Sequence, residues 1–322
     1  MKRFVIIFAV LLGGYVAYYF TLRAGLSKAL LTAQSDLAED GVTLSLPNIV
    51  HSGFPLSVRT TLTDAQISGP KGSVRAETAT LSASPFSPTQ WTLQSRGDMR
   101  VDWRADTDRR YLFDVSPSLV RADFGASVLG QLKSVRVTGF KLSTTPVIGT
   151  PPPLRAVDSV VFDIRADGGN MAYKLSAVNA FFDRDAARNI QRIFGPHIKA
   201  LSVSGTLSDL SALDNEAVSE WQTLGAFTVD DSDLIWGDGQ FKSTVNMAFA
   251  EGRPTGTMTL KVRDAQTLLD GLIAAGTIDN NAAFAAQLAL MAAPRDEMGL
   301  VVLTLPITDG EVRLFGQKIY RF

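Results

Sequence analysis

Apolar positions follow two different rules along this chain, and the change comes at about Gly41. Up to there the spacing is helical. Phe4–Phe20, FVIIFAVLLGGYVAYYF, carries no charge and no proline and follows the positive pair Lys2-Arg3. At 1.5 Å per residue such a helix is ~25 Å long, the short end of what a bilayer span needs. Phe4, Val5, Ile6, Ile7, Phe8, Val10, Leu11 and Leu12 supply its apolar body. Tyr15, Tyr18, Tyr19 and Phe20 close it with rings of the kind favoured at headgroup level. The expectation is a transmembrane anchor over residues 1–22, with the N-terminus cytoplasmic because Lys2 and Arg3 precede it. A cleaved signal peptide is the alternative. Its apolar region is shorter, ~7–15 residues, and ends at a small-x-small site, whereas this run ends in Tyr-Tyr-Phe. Leu26, Ala29, Leu30, Ala33 and Leu37 then recur at helical spacing, which predicts an amphipathic linking helix over 23–41 with Gly41 as its stop.

Beyond Gly41 the period becomes two, the mark of strands with one buried and one wetted face. Thr43–Leu46 and Leu56–Leu62 alternate, with Gly53 and Pro55 between them. Ala65–Ile67 and Ser73–Ser82 flank Gly69-Pro70-Lys71-Gly72 and predict a hairpin. Trp91–Gln94, Met99–Ala105, Tyr111–Val115, Leu119–Phe124 and Lys133–Ser143 continue as short strands, and Met99, Val101 and Trp103 share a face. Thr144-Thr145-Pro146 through Pro151-Pro152-Pro153 favours extended backbone unsuited to a central strand. Residues 145–153 are therefore the expected boundary between a first β-rich half, 42–145, and a second, 154–322; one continuous domain stays open.

In the second half Ala156–Arg165 and Met171–Phe181 pair across Asp167-Gly168-Gly169-Asn170. Asp183–Phe194 switches to helical spacing, with Arg184, Arg188 and Arg192 on one flank, suited to lipid phosphates or simply to solvent. Ile198–Leu207 is strand-like and Leu210–Leu224 helical. Ala226–Leu234, Gln240–Ala250 and Thr255–Val262 form a further strand series, and Leu300–Ile307 with Glu311–Phe315 closes the chain around a tight Asp309-Gly310 turn. Asp264–Ala275 is a helix with Leu268, Leu269, Leu272 and Ile273 on its apolar side. Asn281–Met291 is almost wholly Ala, Leu, Phe and Met and is expected to be buried. The fold class is mainly β with α additions: a transmembrane helix, then a long curved antiparallel sheet with a few helices packed on it.

Composition narrows the chemistry. A net charge of −1 and a pI near 6.2 supply no positive field for nucleic acid. The chain has no cysteine, so disulfides, thiolate metal sites and thiol nucleophiles are excluded. Its two histidines fall in His51-Ser52-Gly53 and Gly195-Pro196-His197 and read as turn residues. No G-x-S-x-G elbow, Walker loop or G-x-G-x-x-G after a strand occurs. Asp230, Asp231, Asp233 and Asp238 lack the glycine and closing glutamate of a calcium loop and read as turn acids. Asp98, Asp102, Asp106, Asp108 and Asp114 are interleaved with Arg96, Arg100, Arg104, Arg109 and Arg110, which points to cross-strand ion pairs rather than acid–base catalysis. No cofactor, metal or catalytic residue is expected.

Several short stretches together resemble a known family. They are the N-terminal apolar run, Gly-Phe-Pro-Leu-Ser-Val at 53–58, Leu62-Thr63-Asp64-Ala65, Trp236-Gly237, Gly256–Leu260 and Leu305-Pro306-Ile307-x-Asp309-Gly310. The chain resembles the uncharacterised proteobacterial envelope proteins of domain-of-unknown-function family 2125 (DUF2125). More distantly the plan is similar to AsmA-like and TamB-like envelope proteins, which implies phospholipid handling or outer-membrane assembly along an apolar groove. This chain is much shorter than the long bridge-forming members of that group.

These readings converge on a non-enzymatic protein of the inner membrane, single-pass, with a periplasmic body that offers an apolar concave sheet face to phospholipid. A module that binds another envelope protein ranks second, and a hydrolase using the Asp-rich strands last. The residues of the groove itself cannot be named from the pattern alone.

Overall fold

The computed structural model describes residues 2–39, 41–104, 110–117, 119–127, 132–149, 151–167, 169–183, 191, 194–208, 221, 223–274, 280–314 and 317–321. The side chains of 2–12, 29, 33, 167, 272, 280–282, 285, 289, 314 and 317–321 are not among them. Arg184, Arg188, Arg192, Asp106, Asp108, Arg109 and most of the helix expected at Leu210–Leu224 lie outside the described residues. The fold is mainly β, built from antiparallel strands with few helices, and it divides into two compact units. Met1–Lys133 with Val137–Pro152 forms the first; Ser134–Arg136 with Pro153–Phe322 forms the second.

The first unit begins with one helix, α1 (Lys2–Glu39), so the expected anchor and linking helix are a single element. Its end is a Schellman motif. The Gly41 N–H donates to the Ala38 carbonyl at 3.1 Å and the Val42 N–H to Leu37 at 2.8 Å, with Gly41 at φ +75°. Among the described residues no helix is long and apolar enough to cross a membrane. The side chains of Phe4, Val5, Ile6, Ile7, Phe8, Val10, Leu11 and Leu12 lie outside that set.

β1 (Thr43–Ser45) and β2 (Asn48–Ser52) both pair with β3 (Val58–Gly69), followed by β4 (Gly72–Ser84) and β5 (Ser87–Arg104). Ala105 lies outside the described residues, and the Trp91–Gln94 and Met99–Arg104 segments are one strand rather than two. Gly97, at φ +88°, absorbs a bulge between them that the pattern reads as a gap. β6 (Arg110–Ser116) and β7 (Leu119–Ala126) pair in line along β5, interrupted near Pro117. β8 (Leu132–Gly149) pairs with β6. It runs straight through Thr144-Thr145-Pro146, which the proline content had marked as loop, and Pro146 is accommodated where the register shifts.

Strand alternation puts Val58, Thr60 and Leu62 on one face of β3, exposed by only 1%, 0% and 5%. α1 covers that face. Tyr19 and Leu26 are buried against Val58, with Leu22, Leu30, Leu81 and Trp91 around them. Tyr19 thus packs into a protein core as well as closing the uncharged run. His51, in β2 rather than in a turn, bridges helix and sheet: Nε2 is 3.1 Å from Ser27 Oγ and Nδ1 is 2.9 Å from Thr60 Oγ1. The Ser27 hydroxyl donates to the Arg23 carbonyl. The neutral ring therefore donates through Nε2 and accepts from Thr60 through Nδ1.

The second unit is an unbroken antiparallel meander. It comprises β9 (Leu154–Asp167), β10 (Asn170–Phe182), β11 (His197–Ser208), β12 (Ala226–Trp236), β13 (Gly239–Ala250), β14 (Arg253–Val262), β15 (Val301–Thr308), β16 (Glu311–Leu314) and β17 (Gln317–Arg321). Asp309 and Gly310, at φ +50° and +78°, make the tight turn expected between β15 and β16. Between β14 and β15 lie α2 (Ala265–Ala274) and α3 (Asn280–Ala292). α2 buries Ala265 and Leu269 as its pattern requires. α3 departs from expectation: Phe284, Leu288 and Met291 are 64%, 52% and 83% exposed, while Ala283 is buried and Leu290 packs inward. After Asn281 the helix has Gln287 as its one polar side chain, so it has no polar side to turn outward.

Two outcomes test the helix–sheet contact. Leu26→Ala should cost ~2–4 kcal/mol in urea unfolding, as for other buried leucines. Burial first, then the Arg23 charge, lowers the His51 pKa below its ordinary value of 6.5. The unfolded chain then binds the proton more readily, so stability should be complete above pH ~6.5 and fall as pH drops below it. Thermal melts of the wild type and His51→Gln between pH 8 and 5 should show that slope only in the wild type.

Candidate functional site

Direct cross-strand partners lie on one face of a sheet, so the register of the second unit can be read as rows. One row runs Val160, Ala177, Leu201, Leu234, Phe241, Val262, Val301 across β9 to β15. A parallel row holds Phe162, Leu175, Val203, Ser232, Ser243, Leu260 and Leu303, and a third runs from Ile164 through Tyr173, Val229 and Val245 to Met258. The opposite face carries Lys174, Arg165, Asp233, Lys242, Asn246 and Lys261. The dry face is continuous, and its cover is not. Toward β14 and β15, Val262 and Val301 are buried beneath Ala265, Leu268 and Leu290. Further back, Leu201, Val203, Leu234, Phe241 and Leu260 are only half-buried and line a depression of about 320 Å³.

Its walls ask for no polar partner. Ser232 and Ser243 satisfy one another: the hydroxyls are 2.6 Å apart and the Ser243 N–H donates to Ser232 Oγ at 2.8 Å. At the margin, Tyr173 lies across Gly205 and donates to the Thr228 carbonyl at 2.8 Å. Burial, then Asp230, raises the Tyr173 pKa to about 12, so the phenol stays neutral. Phe241 also lines a second cavity of about 500 Å³ with Phe194, Trp236, Arg263 and Asp264. Phe194 lies tilted against Trp236 at 5.1 Å and meets Phe241 edge-on, and Trp236 Nε1 donates to the Gly195 carbonyl at 2.9 Å. Arg263 reaches Gln240 Oε1 at 2.8 Å on the exposed rim. The arrangement offers an apolar floor beside an aromatic cavity with charge at its mouth.

The acidic residues are placed otherwise. In the first unit Arg100 grips Asp114 at 2.8 and 3.1 Å, Arg110 holds Asp102 at 2.7 Å through Nε, and Arg75 meets Asp64 at 2.9 Å. The arginine bonds lower the pKa of Asp102 and Asp114 below the ordinary carboxylate value, so both are anions at neutral pH and neither is a proton donor. Arg100–Asp114 and Arg110–Asp102 are cross-strand pairs of the kind that the interleaved charges predicted, and Arg75–Asp64 is a further one outside that stretch. Asp98 and Glu77 share a polar hollow of about 280 Å³ with four of those groups, Asp64, Arg75, Arg100 and Asp114. In the second unit Asp230 accepts from Thr228, Asp233 from Gln240 at 3.1 Å, Asp238 lies 3.7 Å from Lys199, and Asp231 is exposed. Among the described residues no group of three or more His, Cys, Asp or Glu is placed to hold a metal. His197 is the first residue of β11, stacked at 4.3 Å on Phe181 with Nε2 3.2 Å from Asn179 Oδ1, again in a strand rather than a turn.

The family described as an uncharacterized protein conserved in bacteria (DUF2125) matches residues 19–318. The chain belongs to the DUF2125 family. No curated protein and no solved structure matches it. The DUF2125 match opens at Tyr19, the residue at which α1 enters the first unit's core, and it takes in both the arginine–aspartate ladder and the apolar depression. The depression is what sequence reasoning left unnamed. Its signal, equal parity of apolar positions in four successive strands, is obscured by register shifts at Ser204/Gly205 and between Val229 and Asp233.

Gly205→Ala tests how the margin is built. A methyl there would fall 1.9 Å from the Thr228 carbonyl oxygen and 2.7 Å from the Tyr173 hydroxyl. A loss of ~1–3 kcal/mol is expected in chemical denaturation, as for overpacked cores, with Tyr173→Phe costing less.

Proposed function

We propose that this DUF2125 member is an envelope protein, anchored in the inner membrane by α1, whose second unit holds the apolar part of a phospholipid against the open face of β11–β14. The observation that carries it is the depression between Leu201, Val203, Leu234, Phe241 and Leu260, apolar, half-buried and without unmet hydrogen bonds. Acyl methylenes laid there gain ~0.8 kcal/mol each, so six contribute about 5 kcal/mol. Arg263 and the aromatic cavity beside Phe241 suit a headgroup at the rim. The positive Lys2-Arg3 pair before the uncharged run supports a cytoplasmic N-terminus and a periplasmic body.

Native mass spectrometry of the detergent-extracted full chain tests this. Phospholipid should remain bound at defined stoichiometry. A carboxylate from Leu234→Asp in the depression should cost more than the ~1.4 kcal/mol that equals a tenfold loss of occupancy. Melting curves should show the variant folded. A stoichiometric protein partner with no lipid would instead favour an assembly module, and unchanged lipid in Leu234→Asp would move the site elsewhere.

A further inference from the structure

The place where α1 leaves the first unit is surrounded by aromatic loops. Tyr15 OH donates to the Pro55 carbonyl, Tyr18 OH to Pro85 at 3.0 Å, and Tyr19 OH lies 3.3 Å from the carbonyls of Ser52 and Ser57. Phe54 meets Tyr19 edge-on at 5.0 Å and Phe86 stacks on Tyr15 at 6.0 Å. The β2–β3 and β4–β5 connections thus grip one and a half turns of helix. Their outer surface is apolar and open: Phe20, Phe54, Leu56 and Phe86 are 53%, 54%, 71% and 72% exposed. Four large apolar side chains this exposed in one ring are a surface that something covers.

Charge is partitioned along the same strands. From Thr78 to Ser95, across the loop that carries Phe86, there is no charged residue, and Ser52–Val58 has none. Toward the other end, Asp64, Lys71, Arg75 and Glu77 crowd β3 and β4, and Arg96, Asp98, Arg100, Asp102 and Arg104 crowd β5. Arg23 and Arg59, the first charges after the gripped turns of α1 and after the β2–β3 loop, are positive, the sign that suits lipid phosphates, and Asp123, in the same cross-strand row as Arg59, is neutralised by Arg121 at 2.8 Å.

We infer that these loop tips form a membrane-docking collar, seated in the headgroup–acyl boundary of the bilayer that α1 enters. The inference rests on the anchor reading and adds a length argument to it. The uncharged residues before the collar, Phe4–Gly14, span ~16 Å of helix, too little for a hydrocarbon layer of ~30 Å. Counting through Leu22 gives ~28 Å. The helix therefore crosses only if the bilayer reaches the turns that Phe54, Leu56 and Phe86 surround, which brings those side chains into the boundary with it. A protein occupant would have to encircle α1 at the point where it continues as an uncharged rod; lipid does so without special shape.

The absence of native cysteine makes the test direct. Leu56→Cys, Phe86→Cys and, at the charged end, Lys71→Cys are each spin-labelled in the full chain and reconstituted into nanodiscs of phosphatidylethanolamine and phosphatidylglycerol. Both collar positions are exposed, so labelling leaves the core intact, and circular dichroism checks it. Relative to position 71, labels at 56 and 86 should collide several-fold more with oxygen and several-fold less with a water-soluble nickel chelate. A chain that sits in the nanodisc with all three labels equally open to nickel overturns the collar and leaves the anchor standing. A chain that stays out of the nanodisc overturns both. Labels shielded from oxygen and nickel alike, with dipolar coupling between copies, overturn the proposal in favour of a second copy of the chain.

Discussion

The contact of Tyr19 and Leu26 with Val58 decides what kind of protein this is. A pleated antiparallel sheet has a dry face, and in the first unit the only large apolar cover among the described residues is α1. The helix that the apolar run begins is therefore the helix that closes the core. Thr60, wholly buried in that interface, has its hydroxyl met by His51, and His51 reaches on to Ser27, so the polar groups inside the contact form one closed chain. Without the helix, Val58, Leu81 and Trp91 would face water and Thr60 would lose its link to α1.

The second unit meets the same demand only in part. α2 and the inward side of α3 cover the rows at β14 and β15, whereas the rows at β11 and β12 keep Leu201, Val203 and Leu234 half-buried among the described residues. The same sheet thus provides both a packed core and an apolar surface with room for a ligand. The self-paired Ser232 and Ser243 show how a polar residue is carried inside such a row without creating a demand for water.

Much of this was legible in the order of residues. The Gly69–Gly72 and Asp309-Gly310 turns, the long alternations of β10 to β14 and the stop at Gly41 all follow from local chemistry, and the structure keeps them. Where reading failed, a non-local term had won. Gly97 reads as a break and is a bulge, because β4 offers Glu77 and its neighbours on the other side. Pro146 reads as a linker and lies in β8, because β6 supplies a partner and the register slips to admit it. α3 reads as buried from composition alone, yet burial depends on what faces it, and Phe284, Leu288 and Met291 face nothing among the described residues. The ladder of arginine and aspartate was visible as interleaved charge. The apolar depression was not, because two register shifts scramble the parity that would reveal it.

The Schellman end of α1 has a consequence for reach. A domain on a slack leash explores a volume and meets its targets by search. Here the chain turns at Gly41 and enters β1 within two residues, and Tyr19 is already core, so between helix and sheet there is no leash to lengthen. α1 and the sheet of the first unit therefore move as one body.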